Sequence, residues 1–300
     1  MRSGAAFWER GEGEETRALL PQLPRVWFGV AGLLLNGVGR GLDRQEMPVF
    51  DVVTWFLAFA RLGAILAFFP LFTGNVPVLL RIALSALVAF LVLPGLPPID
   101  AATVSLGGLI KLMGMEISVG LLLGFVCKMV FFAIELGASI VASEIGLQMS
   151  NIYNPMAQEL MSTPGVILYW LAVMLMFSLD LHHWLLAGFQ KSFDAAPMGA
   201  AGLSQALYGD FIGRIGHVFF VAVQMTAPIL ACSFLVTLIL ALLGRAVPQM
   251  NVFAESFAVK SLAGLFVFGT TLTLMSAHIT NYLRRLPGDF LRVANLLGGN

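Results

Sequence analysis

The sequence predicts an all-α integral membrane protein with about six long, partly kinked hydrophobic helices in hairpins. Three observations carry that expectation. Of 300 residues, 58% are hydrophobic and 11% charged, with a mean hydropathy of +0.88, whereas soluble domains carry about 25% charged residues. The apolar residues gather into about six runs, most of them near or above the ~20 residues that cross a bilayer as helix. Proline, glycine and asparagine clusters separate the runs. Formal net charge is zero and no basic stripe with interleaved aromatics occurs, so nucleic acid is not an expected partner.

Residues 1–46 stand apart. They carry Arg2, Arg10, Arg17, Arg25, Arg40 and Arg44 together with Glu9, Glu12, Glu14 and Glu15. Their apolar run, 26–38, is too short for a span, and no clear small-residue cleavage site follows it. Met47 directly precedes a strong apolar segment. Synthesis is therefore expected to begin at Met47, with 1–46 a mis-called extension or a disordered arm. The first two runs, 49–72 and 76–95, are joined by Thr73-Gly74-Asn75-Val76-Pro77, a tight turn that forces an antiparallel hairpin. Pro94, Pro97 and Pro98 end the second. The third run, 109–145, is about 55 Å long as one helix, against a hydrocarbon core of about 30 Å. The fourth, 164–189, is followed by a turn near Ala195-Ala196-Pro197-Met198-Gly199. The fifth, 211–243, is also over-long, and Pro228 is expected to kink it. A connection at 244–251 leads to the sixth, 257–283, and Arg284, Arg285 and Arg292 follow. With an even number of spans, these arginines place both termini in the cytoplasm.

The segment between the third and fourth runs is the most informative. Ala138, Ala142, Gly146 and Ser150 recur every four residues and share a helix face, widened by Ser139 and Ser143. Such a stripe lets another backbone approach closely. Then Asn151, Asn154, Pro155, Ser162, Thr163, Pro164 and Gly165 break the pattern, with Met149, Met156 and Met161 among them and no Lys or Arg. The segment reads as a movable, partly apolar loop held inside something larger; the alternative is an ordinary linker between membrane helices. Methionine is flexible enough to fill irregular gaps, so these three residues can seal a pore yet yield to a passing chain.

Several charges lie where lipid would penalise them. Arg61 is in the middle of the first run; Lys128 and Glu135 are seven apart on one face of the third; Lys111 and Glu116 are near its start, and Lys260 is near the start of the sixth. An ionisable group at mid-bilayer costs roughly 2.5–3.5 kcal/mol on insertion scales. Snorkelling suits Arg81, Lys111 and Arg245, but not Arg61 or Lys128. These helices are therefore expected to bury polar faces against partner subunits. Glu116, Lys128 and Glu135 form either a structural ion-pair network or a proton relay. No P-loop, GxSxG or HExxH motif occurs, and no enzyme or cofactor is expected. In Asp180-Leu181-His182-His183, a straight helix would put Asp180 and His183 on one face. Two ligands are too few for a structural zinc site, so the cluster reads as a polar helix end and no metal is expected. His217, His278, Cys127 and Cys232 read as packing residues within apolar helices.

In order and spacing, five stretches resemble the family of the flagellar export-gate protein FliR and its injectisome counterpart SctT, over residues 47–286. They are FARLGAILAFFPLFTGNVPVLLRIALSALVAFLVLP, with Arg61, Pro70, Pro77 and Arg81; EISVGLLLGF, with Glu116, Gly120 and Gly124; ELGASIVASEIGLQMSNIYNP, with Gly137, Gly146 and Pro155; LDLHHWLLAGFQKSFDAAPMG, with His182, His183, Ser192, Pro197 and Gly199; and ALLGRAVPQMNVFAESFAVK, with Arg245, Pro248, Gln249 and Asn251. The last favours the flagellar branch. Residues 1–46 match nothing in the family pattern, and Asp180-Leu181 departs from the small or Asn/Gly residues expected before the histidine pair. The resemblance implies a non-enzymatic subunit of the inner-membrane flagellar basal body. It would assemble with FliP and FliQ, with FlhB outside and FlhA around, into a conduit for unfolded flagellar subunits. It further implies a FliP-like part at 47–205, a plug loop at 145–162, a FliQ-like hairpin at 206–286 and a tail at 287–300. An injectisome gate subunit and a proton-coupled small-solute transporter are the alternatives.

Overall fold

The structure, a computed structural model, describes residues 51–70, 76–99, 104–147, 162–202, 204–246 and 252–299. The N-terminal extension, Thr73-Gly74-Asn75 of the expected turn and most of the expected loop lie outside the described residues. Among those described, every regular element is helical, and there are eight α-helices rather than about six.

α1 (Val52–Phe68) begins at Asp51, whose carboxylate accepts the amides of Val53 at 3.0 Å and Thr54 at 3.3 Å and the Thr54 hydroxyl. It also accepts the Ile99 amide at 3.1 Å, so the cap pins the chain that returns from α2. Burial pushes this carboxyl up, but the hydrogen bonds from Thr54, Val53 and Ile99 outweigh it and hold it below its ordinary value. Its stabilising contribution is therefore present above the ordinary carboxylate range and is lost as pH falls through it. Asp51→Ala is expected to lower stability by about 1 kcal/mol, read as a fall in the thermal midpoint. α1 ends ahead of Pro70, which disfavours helix in the residue before it.

α2 (Val78–Val92) runs into a 3-10 turn at Leu93–Gly95 that contains Pro94. α3 (Leu106–Ile145) starts where Ser105 accepts the Gly108 amide at 3.2 Å. It ends in a Schellman motif. Gly146 adopts φ +83, its amide donates to the Ser143 carbonyl at 3.1 Å, and the Leu147 amide donates to Ala142 at 2.9 Å. α3 has 40 residues, about 60 Å of helix. It is also the pillar of the fold: Val119, Leu123, Val126, Cys127, Val130, Ile134, Val141 and Ile145 are buried along its length, whereas α2 buries Ser85, Val88 and Ala89.

The fourth run is not one helix. α4 (Thr163–Ser178), capped by Ser162 on the Gly165 amide, stops at Leu179; α5 (Leu181–Ala195) restarts after a 72° bend. The hinge is Asp180, the one non-glycine residue at positive φ (+55) among the described residues. Aspartate tolerates that conformation better than most side chains. α6 (Gln205–Ala246) continues helical through Pro228, and α7 (Val252–Leu283) packs beside it.

The segment expected as a C-terminal tail carries a helix. In α8 (Leu286–Gly298), Leu286, Phe290, Val293, Ala294 and Leu297 are buried on one face. α8 lies against α5 so closely that a Cβ on Gly298 would come within 1.8 Å of the Ala195 carbonyl oxygen. Between its buried residues lie the half-buried Asp289 and the exposed Arg292, which lower the hydropathy enough to hide the helix.

Among the described residues, four helical stretches are long and apolar enough to cross a membrane, or five if the bent α4–α5 pair counts as one, and α1 is too short. This is a membrane protein by those helices, but an even number of spans no longer follows, nor does a shared side for the two termini.

Candidate functional site

α1 and α3 meet through two glycines one helical turn apart. A Cβ on Gly120 would lie 2.3 Å from the Arg61 carbonyl oxygen, and one on Gly124 2.8 Å from that of Ile65. Only a side chain of hydrogen size permits this approach. It puts Arg61 beside Glu116, one turn before Gly120, and both side chains are 0% exposed. Arg61 Nε donates to Glu116 Oε2 at 2.5 Å. Nη1 donates to the carbonyls of Ser192 at 3.0 Å and Ala196 at 2.9 Å, and the guanidinium lies 4.2 Å from the Phe193 ring centre. Those carbonyls are at the C-terminal end of α5, where unsatisfied acceptors and the helix dipole both favour a cation. Glu116 Oε1 in turn accepts the Gly199 amide at 3.1 Å. Gly199 has φ +73, and a Cβ there would strike Leu112 at 2.6 Å. One ion pair thus ties α1, α3, the end of α5 and the Pro197-Met198-Gly199 turn. The second nitrogen of the guanidinium fork, Nη2, is buried without a partner.

The other charges part company. Lys128 is twelve residues from Glu116, about 18 Å along α3. Its ammonium lies over the Phe132 and Phe68 rings at 5.1 and 5.6 Å, in no ion pair with Glu135. Glu116, Lys128 and Glu135 therefore do not form one network within the chain. Same-face spacing of seven residues separates the two backbones by about 10 Å of rise, so Lys128 and Glu135 act on each other through space without closing an ion pair. Arg81 is half-buried on α2, and Ser85 donates to its carbonyl at 2.6 Å. Arg245 is exposed in the last turn of α6, where a cation complements the helix dipole.

At its far end, α3 packs on the last two long helices through small residues. Ala138 and Ala142 are buried. A Cβ on Gly137 would meet Met225 of α6 at 2.5 Å, and one on Gly264 of α7 would meet Ile145 at 2.7 Å. The Ile145 carbonyl accepts the Ser261 hydroxyl at 2.7 Å, and Ser233 of α6 donates to Glu144. Gly146 faces Phe257. The chain that leaves Gly146 is thus anchored on α6 and α7 and returns at the Ser162 cap of α4. Met149, Ser150, Asn151, Asn154, Pro155, Met156 and Met161 lie outside the described residues.

A second polar cluster was not anticipated. Arg214 pairs with Asp210 at 2.5 Å and with Asp289 at 2.8 Å, and Arg292 pairs with Asp210 at 3.0 Å. It fastens the start of α6 to α8 beside a cavity of about 450 Å³ that His217 and Tyr282 also line. The one available signal was the four-residue spacing of Asp210 and Arg214; the partners on α8 are some 75 residues away. Cys127 is buried and Cys232 half-buried, and both are free thiols.

Residues 52–286 match the family model described as Bacterial export proteins, family 1. The flagellar biosynthetic protein FliR of Buchnera aphidicola subsp. Schizaphis graminum is 32% identical over 216 residues, 70% of this chain and 82% of that protein. FliR of Bacillus subtilis is 27% identical over 76% of this chain and 89% of its own length. The Yop proteins translocation protein T of Yersinia pestis is 28% identical over 75% and 88%. On that match and the helical architecture, the chain belongs to the bacterial export proteins of family 1, the FliR/SctT family.

Proposed function

We propose that this chain is a subunit of the flagellar type III protein export gate in the bacterial inner membrane. It forms, with FliP- and FliQ-class partners, a conduit for unfolded flagellar subunits, with FlhB and FlhA as neighbours. It performs no covalent chemistry; the mechanism is steric, and the loop 145–162 is the plug. The observation that carries this reading is the contrast between the self-buried α3 and the apolar, uncovered α2, α6 and α7. Phe220 and Phe234 on α6 are 63% and 67% exposed, and Phe266 on α7 is 73% exposed. Long helices with such faces, held to a pillar that ends at the loop, suit a wall built from several chains. The flagellar relatives support the pathway, and the Yersinia relative supports an injectisome gate as the second reading. The transporter reading loses support because Glu116 is committed to Arg61 and lies far from Lys128.

Deleting residues within 148–161, at intact assembly, is expected to make the closed gate leak small ions, measured as conductance across membranes that contain the complex. Unchanged conductance with intact export would refute the plug.

A further inference from the structure

We infer that Asp180, His182 and His183, at the bend between α4 and α5, form a site for a divalent transition-metal ion, zinc foremost. A straight helix would offer two ligands, but the left-handed Asp180 turns the chain so that three converge. One ligand atom from each residue lies within 4.8 Å of the other two. Asp180 Oδ1 and His183 Nδ1 are 3.6 Å apart, too far for a hydrogen bond. Ligands about 2.0–2.1 Å from a tetrahedral zinc sit about 3.4 Å from each other, so this pair is near the right spacing. A side-chain rotation brings in His182, whose ring centre is 4.0 Å from that of His183.

The second observation concerns the imidazole nitrogens. Nδ1 of His182 and Nδ1 of His183 are both buried and hydrogen-bonded to nothing. A ring nitrogen shut off from water normally has a partner, and an ion between the two rings and the carboxylate would supply one. Two imidazoles and one carboxylate select zinc and its neighbours over magnesium or calcium. Three protein ligands leave a coordination position open for water or for a group from a partner subunit. Asp180 is at the hinge and both histidines are in the first turn of α5, so the ion would fix the 72° bend. The far end of α5 presents the Ser192 and Ala196 carbonyls to Arg61, so one short helix carries the candidate site at its start and acceptors of the buried ion pair at its end. The site does not depend on the gate reading.

The test uses the full chain in detergent, without a polyhistidine tag, titrated with Co²⁺ as a spectroscopic stand-in for zinc. The expected result is saturation at one equivalent with the visible bands of tetrahedral cobalt, reversed by Zn²⁺. His182→Ala, His183→Ala and Asp180→Asn should each remove those bands, whereas His217→Ala and His278→Ala should keep them. Absence of the bands in the unmodified chain, or their survival in the His182→Ala/His183→Ala double variant, overturns the proposal. X-ray absorption of the zinc-loaded unmodified chain is independent of any variant's folding: a shell containing two imidazoles supports the site, and an all-oxygen shell overturns it.

Discussion

Arg61→Leu is expected to destabilise the chain by about 3–5 kcal/mol, the cost of leaving one member of a buried ion pair uncompensated. The change strands Glu116, which is fully buried. It also removes the donor that satisfies the Ser192 and Ala196 carbonyls at the end of α5. Glu116→Leu should cost a similar amount, since it strands the guanidinium and releases the Gly199 amide. Arg61→Leu with Glu116→Leu should cost much less than the two single changes summed, because an apolar pair of like volume needs no counter-charge. The measurement is a double-mutant cycle on thermal or denaturant unfolding of the purified chain. Additive effects would show that the two groups are not coupled.

Gly120→Val should be almost as damaging. The added carbons would meet the Arg61 carbonyl oxygen and the Ala64 Cβ, which already stand 2.3 and 2.7 Å from where a Cβ would be. Both are parts of α1 with no soft torsion to absorb the clash, so the helices must part. Overpacking of this kind costs about 1–3 kcal/mol and occasionally more, and separation of α1 from α3 also stretches the ion pair. Gly114→Ala, on the same helix but facing open space, is the control. It should be neutral or stabilising by up to about 1 kcal/mol through helix propensity alone. Equal losses at the two positions would contradict close α1–α3 packing as the reason for Gly120.

The sequence made some of this visible for physical reasons. A charge within an apolar run must find a partner, so Arg61 and Glu116 stood out singly. Their pairing did not, because contact across 55 residues depends on how α1 is docked, and no local pattern encodes docking. Gly120 and Gly124 held that information in their spacing, which specifies a close approach but not to which helix. The end of α3 was misread at Gly146: its four-residue spacing from Ala138 and Ala142 put it on the helix face, whereas it adopts φ +83 and terminates the helix at Ile145. The break between α4 and α5 was not legible, since the turn is made by Asp180 without glycine or proline, inside a run of continuous hydropathy. α8 was missed for the opposite reason: Leu286, Phe290, Val293 and Leu297 keep helical spacing, but the charges between them dilute the apolar signal. Lys128 and Glu135 show the limit of same-face reasoning, because sharing a stripe is necessary for contact and not sufficient.

The proposed gate requires that the bare apolar faces of α6 and α7 be covered by protein. In-cell photo-crosslinking from Phe220, Phe234 and Phe266 tests this directly. The account predicts discrete protein adducts at these positions, formed with FliP- and FliQ-class subunits and lost when those subunits are absent. Adducts to lipid alone, with the chain dispersed as a monomer in cells that export flagellar subunits normally, would contradict it.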